Sequence, residues 1–295
     1  MHEFWVPGDK CDLGYQNIRD TDTGPNPEIR ALLENNWEHF RPYADETFRE
    51  EFSAQPDARF WEMYLCVRLL KARKNVVDRN NRPADGPDFC VIEDDGPVWI
   101  EAVTFGHGDD KNPDRVPEMQ FDGVAHNVPV SEVELRISSV FIKKSLKFLT
   151  YIDQGLVPKN ERQLIAINPG KTSQQASFEG RGSPMCVLYP LGDQYVTFFK
   201  DSAATDSGYH RRTEIEKASG AKVPIGMFAD EQHNHLSGVI WSKTTLGNFF
   251  FRENDLTFYP NGTPISALRP GWLDWGGEWS SSVNDDGKFV LTRII

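Results

Sequence analysis

The chain has 295 residues, 39% hydrophobic and 26% charged, a globular composition that excludes collagen-like, coiled-coil and intrinsically disordered classes. Its 44 Asp and Glu against 32 Lys and Arg give a formal charge of −12, so the whole-molecule field repels polyanions and any nucleic-acid contact needs a local basic patch. No secretory leader pattern opens the chain and no run approaches the roughly 18 apolar residues of a membrane span, so a soluble, cytoplasmic protein without membrane contact is expected.

Residues 1–30 mix Gly, Pro, Asp and Thr without periodicity and read as a lead-in. Helical signals begin at PEIRALLENNWEHF, and residues 44–74 carry Phe60, Tyr64, Val67 and Leu70 at helical steps, which predicts one long amphipathic helix. NVVD, DFCVI and VWIEAVTF are strands separated by Asn, Gly, Asp and Pro turns. Residues 106–130 form a long surface loop. Residues 131–154 predict a second strong helix, opened by Ser131 and Glu134 at capping-box spacing. QLIAIN, PMCVLYP, YVTFF, LSGVIWS, NFFFREN, LTFYPNG and FVLTRII follow as strands, with GWLDWGGEW as an aromatic, Gly-rich linker. No composition break marks an interdomain linker. The expected organisation is one domain: a lead-in and helix over 1–50, a core over 51–200 and a β-rich C-terminal subdomain over 201–295. Cys11, Cys66, Cys90 and Cys186 lie far apart with no CxxC pair, which reads as buried thiols in a reducing compartment.

Acidic residues stand at defined points of this order. Glu62 lies on the long helix, Asp88 opens a strand in GPDF, and Glu101 lies on the next strand in VWIEAV, thirteen residues later. Carboxylates at the ends of adjacent antiparallel strands can face one another across the ladder and share a divalent cation. A helix with Glu62, then Pro87-Asp88, then Glu101 on the following strand, then a helix and a strand, resembles the PD-(D/E)xK nuclease superfamily, whose core is αβββαβ. The likeness covers roughly residues 57–170, and FWEMYL, GPDF, VWIEAV, RISSVFIKKSLKF and LIAIN look like a group of uncharacterised bacterial proteins of that fold.

The resemblance implies a restriction-endonuclease-like α/β fold, a mixed sheet flanked by helices, with a β-rich C-terminal elaboration. It implies phosphodiester hydrolysis with Mg²⁺ or Mn²⁺ held by Asp88, Glu101 and the carbonyl of Ala102, while Glu62 orients a metal-bound water. The superfamily's lysine would stand two residues after Glu101, where this chain has Val103, which can neither position water nor stabilise negative charge. On the helix over 131–154, Arg136, Lys143, Lys144 and Lys147 share an arc of roughly 100°. Lys144 projects between Val133 and Ile137 on the core side, which makes it the candidate surrogate. Arg136 and Lys147 are candidate substrate contacts, with Arg136 on a phosphate oxygen.

The rival expectation is a nuclease-fold protein that has lost catalysis and binds protein or nucleic acid, favoured by Val103 and the charge of −12. A component of a defence or immunity system is a third reading. Weaker signals stay with plain structural roles. The segment from Asn168 to Ser173 fails the phosphate-loop pattern because Ile165 replaces the first glycine. His233 and His235 read as a solvated loop. Gly106 to Asp110 read as a turn. Trp272, Trp275 and Trp279 read as packing anchors. Lys71, Arg73, Lys74, Arg79 and Arg82, the best candidate for a local phosphate patch, read as solvating a helix end.

Overall fold

The structure, a computed structural model, describes residues 2–8, 10–120, 122–198, 205–249, 255–273, 276–283 and 289–294. The lead-in contains a helix, α1 (Leu13–Asp20), whose first turn is satisfied by the Asp12 carboxylate accepting the N–H groups of Gly14 and Tyr15. Its shortness hides it from periodicity, since only Tyr15, Ile18 and Arg19 are buried. α2 (Asn26–Phe40) follows as expected. The predicted long helix is two, α3 (Phe48–Ala54) and α4 (Pro56–Lys71), because a residue before proline is driven out of the helical region. Gln55 accordingly sits at φ −136°, and Pro56 opens α4 where its missing N–H is harmless. α4 is buried nearly all round rather than along one stripe, with Phe60, Trp61, Met63, Tyr64, Leu65 and Cys66 all in the core.

Three strands come next: β1 (Asn75–Val76), β2 (Phe89–Glu93) and β3 (Gly96–Thr104). Asp94 and Asp95 turn β2 into β3, and Gly96 completes that turn at φ +112°, a conformation that glycine adopts without steric penalty. After residues 105–120 and 122–129, which form neither helix nor strand, comes α5 (Val130–Asp153), followed by β4 (Arg162–Asn168). The capping box does not form. Pro129 occupies the cap position without a side-chain bond, Ser131 lies inside the helix, and Glu134 turns into the core.

PMCVLYP is a single helical turn, α6 (Met185–Leu188), not a strand. A four-residue apolar run has no period to read, and all four side chains are buried. β5 (Leu191–Phe198) pairs with β6 (Thr205–Arg211), and β7 (Glu214–Glu216) with β8 (Lys222–Pro224). Then come β9 (Gly238–Trp241), β10 (Thr257–Pro260), β11 (Gly277–Val283) and β12 (Phe289–Arg293). Glu278 and Trp279, expected in a linker, therefore belong to β11. Asn248 and Phe249 are not in a strand, while residues 250–254 of the expected NFFFREN strand and Trp275 lie outside the described residues.

The architecture is mixed α/β. One eight-stranded sheet has the order β1-β2-β3-β4-β9-β10-β11-β12, so the C-terminal strands extend the sheet begun by the first half. β2 runs antiparallel to both β1 and β3, whereas β3, β4 and β9 run parallel. Every residue of β4 is buried, as a central strand covered on both faces requires. The pleat divides the core in two. Val98, Ile100 and Ala102 of β3 pack with α4, and Trp99 and Val103 pack on the α5 side with Ile165, Ile167, Val133, Ile137 and Phe141. Cys66, Cys90 and Cys186 are buried free thiols, and Cys11 is half-buried. Among the described residues no helix is long and apolar enough to cross a membrane.

Candidate active site

The site begins with a mismatch in strand length. Phe89, the first residue of β2, pairs with Ile100, so Glu101 to Thr104 of β3 run on past the end of their neighbour. Continuing the register by one residue sets Asp88 opposite Glu101, as the sequence predicts. The overhang strands the N–H of Ala102, and the Asp88 carboxylate takes it: Oδ2 accepts that hydrogen bond at 2.7 Å. A strand residue's N–H and C=O point to the same edge, so the Ala102 carbonyl faces this notch as well. Arg82 fixes the approach, its guanidinium donating to the carbonyls of Tyr43 (2.9 Å), Pro87 (3.1 Å) and Asp88.

Glu101 points to the α5 face and is fully buried, at 0% exposure. Three donors from α5 meet it. Lys144 Nζ and Lys147 Nζ both lie 2.5 Å from Oε1, and the Tyr151 hydroxyl donates to Oε2 at 3.1 Å. Positions 144, 147 and 151 are neighbours on one helix face, so a single turn-spanning stripe delivers all three. Lys144 is the more enclosed ammonium, 15% exposed against 45% for Lys147, while Lys143 faces solvent. Burial disfavours the charge on Lys147, but the Glu101 carboxylate outweighs it and raises the pKa. Burial, and then the same carboxylate, raises the Tyr151 phenol.

Glu62 reaches the notch from α4, on the other face of the sheet. Its oxygens are both 2.6 Å from Arg59 Nη1, a guanidinium that also pairs with Glu51. Burial raises the Glu62 pKa, and Arg59 opposes that. Asp88 lies between the two glutamates and bears the consequence. Burial first, then the charges of Glu101 and Glu62, push its carboxyl up to about 8, against the pull of Lys144 and the Ala102 N–H. A cleft of about 50 Å³ opens beside Glu62 and Asp88, bounded by Asp45, Arg79, Arg82 and Phe48, with room for a few waters.

The structure thus brings together Glu62, Asp88, Glu101, Lys144 and Lys147, the last on Glu101 itself. It does not bring Arg136 to them. Arg136 stands eight residues and roughly 12 Å up α5 from Lys144, and its Nε donates to the Gly106 carbonyl at 3.2 Å. Tyr151 and Arg59 were missed by motif reasoning, yet both fall at helical spacings from residues it had chosen, four after Lys147 and three before Glu62.

Other expectations resolve differently. His233 and His235 are buried, not solvated: the Ser145 hydroxyl sits 2.8 Å from His233 Nδ1 and 3.3 Å from His235 Nε2. The basic run is largely committed, with Lys74 on Glu93, Arg79 on Asp45 and Arg82 on carbonyls. Trp272 is an anchor, buried with its indole N–H on Glu93. The stretch after Asn168 is a short 3-10 turn.

Among the described residues, no three His, Cys, Asp or Glu side chains converge closely enough to hold a metal ion by themselves. The donors at the notch are nevertheless hard oxygens, and Mg²⁺ is commonly bound by one or two carboxylates, with waters and substrate phosphate filling its shell. Asp88 and Glu101, with the Ala102 carbonyl, fit that requirement, provided the ammonium groups on Glu101 Oε1 yield. No protein-family model matches this chain, no curated protein matches it, and no solved structure matches it.

Proposed function

We propose that the chain is a divalent-metal-dependent phosphodiester hydrolase of restriction-endonuclease-like fold, acting on nucleic acid. The observation that carries the reading is Lys144 Nζ at 2.5 Å from Glu101, an ammonium delivered from a helix to the place that Val103 leaves empty on β3. Glu101 and Val103 share the α5 face of β3, so a cation from α5 reaches the side where the strand's own lysine would have pointed. The run α4, β1, β2, β3, α5, β4 also has the αβββαβ order.

Asp88 and Glu101 would hold the cation, which when bound supplies Lewis-acid polarisation of the phosphate and acidifies a water. The chain's own groups do the rest. Burial and its two glutamate neighbours favour the protonated form of Asp88 until a cation compensates them. Glu62, tied down by Arg59, faces the notch as an acceptor for the attacking water's proton. Lys144, once turned from Glu101 to substrate, stabilises charge developing on a phosphate oxygen.

A second reading, a fold that binds protein or nucleic acid without catalysis, draws on the saturation of Glu101 Oε1 by two ammonium groups. One experiment separates them: wild type and Asp88→Asn are titrated with Mg²⁺ and Mn²⁺ while thermal stability and cleavage of a mixed DNA and RNA panel are followed. Metal-dependent cleavage and stabilisation, both lost in Asp88→Asn, support the hydrolase. Metal indifference of both proteins sinks it.

A further inference from the structure

A second cleft, of about 290 Å³, lies against the N-terminal half of α5, between the irregular segment after β3 and the β7–β8 hairpin. Its size is at the lower end of pockets that take small organic ligands. Arg136 and Lys217 line it, and among the described residues neither has an ion-pair partner. Arg136 spends only its Nε, on the Gly106 carbonyl, which fixes the guanidinium and leaves its two terminal nitrogens as donors.

Ser138 supplies the second observation. It is 1% exposed, forms part of the cleft wall, and its hydroxyl has no hydrogen-bond partner. A buried hydroxyl left unpaired costs about 1–3 kcal/mol, and a ligand oxygen in the cleft would relieve that. One carboxylate also lines the cleft. Asp114 Oδ1 is engaged by the Ala218 N–H at 2.7 Å, which leaves Oδ2 to accept from a ligand hydroxyl. Leu135 and Ile142 give the floor an apolar patch.

We propose that this cleft is a binding site for a phosphate monoester of a hydroxylated carbon skeleton, a sugar phosphate or a nucleoside monophosphate. The phosphate takes the Arg136 fork, Lys217 and the Ser138 hydroxyl, because a planar guanidinium matches two phosphate oxygens at once. A neighbouring hydroxyl of the ligand donates to Asp114. The proposal is independent of metal-dependent hydrolysis at Glu101, since no residue is common to the two sites.

The test is calorimetric titration of the full chain with inorganic phosphate, ribose 5-phosphate and AMP, each in EDTA, on wild type and four variants. Ribose 5-phosphate or AMP should bind in the micromolar to low-millimolar range, with inorganic phosphate at least tenfold weaker. Lys217→Ala, at an exposed position, and Arg136→Gln should each weaken binding tenfold or more. Ser138→Ala is the sharp arm: it should raise the melting temperature of the free protein while weakening the ligand several-fold. Asp88→Asn should bind like wild type. Absence of binding by all three probes overturns the proposal, as does Ser138→Ala or Lys217→Ala binding like wild type. Loss of binding in Asp88→Asn would move the ligand to the other site and also overturn it. Whichever ester binds identifies the source of the phosphate.

Discussion

Two buried carboxylates contact cations at opposite ends of α5 or against it, and they are balanced in opposite ways. Glu134, near the start of the helix, is 0% exposed and fully answered: Arg181 Nε at 2.9 Å and the Gly182 N–H at 2.9 Å on one oxygen, Arg212 at 2.6 Å on the other. The exposed Asp193 shares Arg181, on its Nη1 at 2.9 Å. Glu101, equally buried, has two ammonium groups crowded on a single oxygen and two further carboxylates next door, Asp88 and Glu62. The first arrangement ties α5 to the segment around Gly182 and to the strand pair β5–β6, and so reads as structural. The second stores unfavourable charge proximity where a bound cation or substrate would relieve it, and perturbed carboxyls of that kind gather at functional sites.

The largest expected effect tests the structural half. Glu134→Gln leaves two guanidinium groups with a neutral partner, and breaking a buried pair from one side costs about 3–5 kcal/mol. Urea denaturation reads this directly, and a loss under about 1 kcal/mol would erase the contrast. On the other side, Lys144→Met should lower metal-dependent cleavage on the order of 100-fold, the usual consequence of losing one charge-stabilising group. Lys143→Ala, one position away and facing solvent, should leave the rate within about twofold; equal losses in both variants would remove Lys144 from the site.

Asp88→Asn should do what Glu134→Gln cannot, and stabilise the metal-free protein. The folded-state pKa is raised from 3.8 to about 8, so the folded form holds a proton that the unfolded form has released. The stability deficit therefore starts near pH 4, grows as pH rises, and is complete above about pH 8. Asn keeps an oxygen for the Ala102 N–H and removes the charge. The expected gain is greatest at pH 8.5 in EDTA and vanishes toward pH 4. A melting temperature that falls at pH 8.5 would contradict the picture of crowded carboxylates.

The smallest effect belongs to a third buried station on the same helix, Ser145 with its two imidazoles. Burial lowers the pKa of His233, and lowers that of His235 to about 4. Because the unfolded chain protonates first, stability is intact above about pH 6.5 and declines as pH falls toward 4. Replacing His235 by Gln should flatten that decline, seen as the difference between the two pH–stability curves. Parallel curves would show that the imidazoles do not titrate with unfolding.

Much of this site could be read from the chain. Asp88, Glu101 and Lys144 were reachable because a turn, a two-residue alternation and a helical wheel each act over a few residues. Failures came where the deciding partner was remote. Glu134 has the spacing of a capping box, but Arg181 and Arg212 draw it inward. Arg136 and Lys147 share a helix face with Lys144, and only the fold shows that rise along the axis sets the first apart from the carboxylates while the second meets Glu101 beside Lys144. His233 and His235 carry no sequence sign of burial, since Ser145 lies about ninety positions away.

Local chain chemistry, then, settled most of the strands and the longer helices, which carboxylates flank the β2–β3 hairpin, and which lysine of α5 faces inward, because those properties depend on neighbours within a few residues. The sheet order, the β3 overhang that lets both faces meet at Asp88, and the pairing of every buried charge belong to the folded molecule alone. They are fixed by contacts between segments tens to hundreds of residues apart, such as Ala166 of β4 with the Trp61 indole N–H at 3.0 Å. Such contacts exist only after the sheet has assembled.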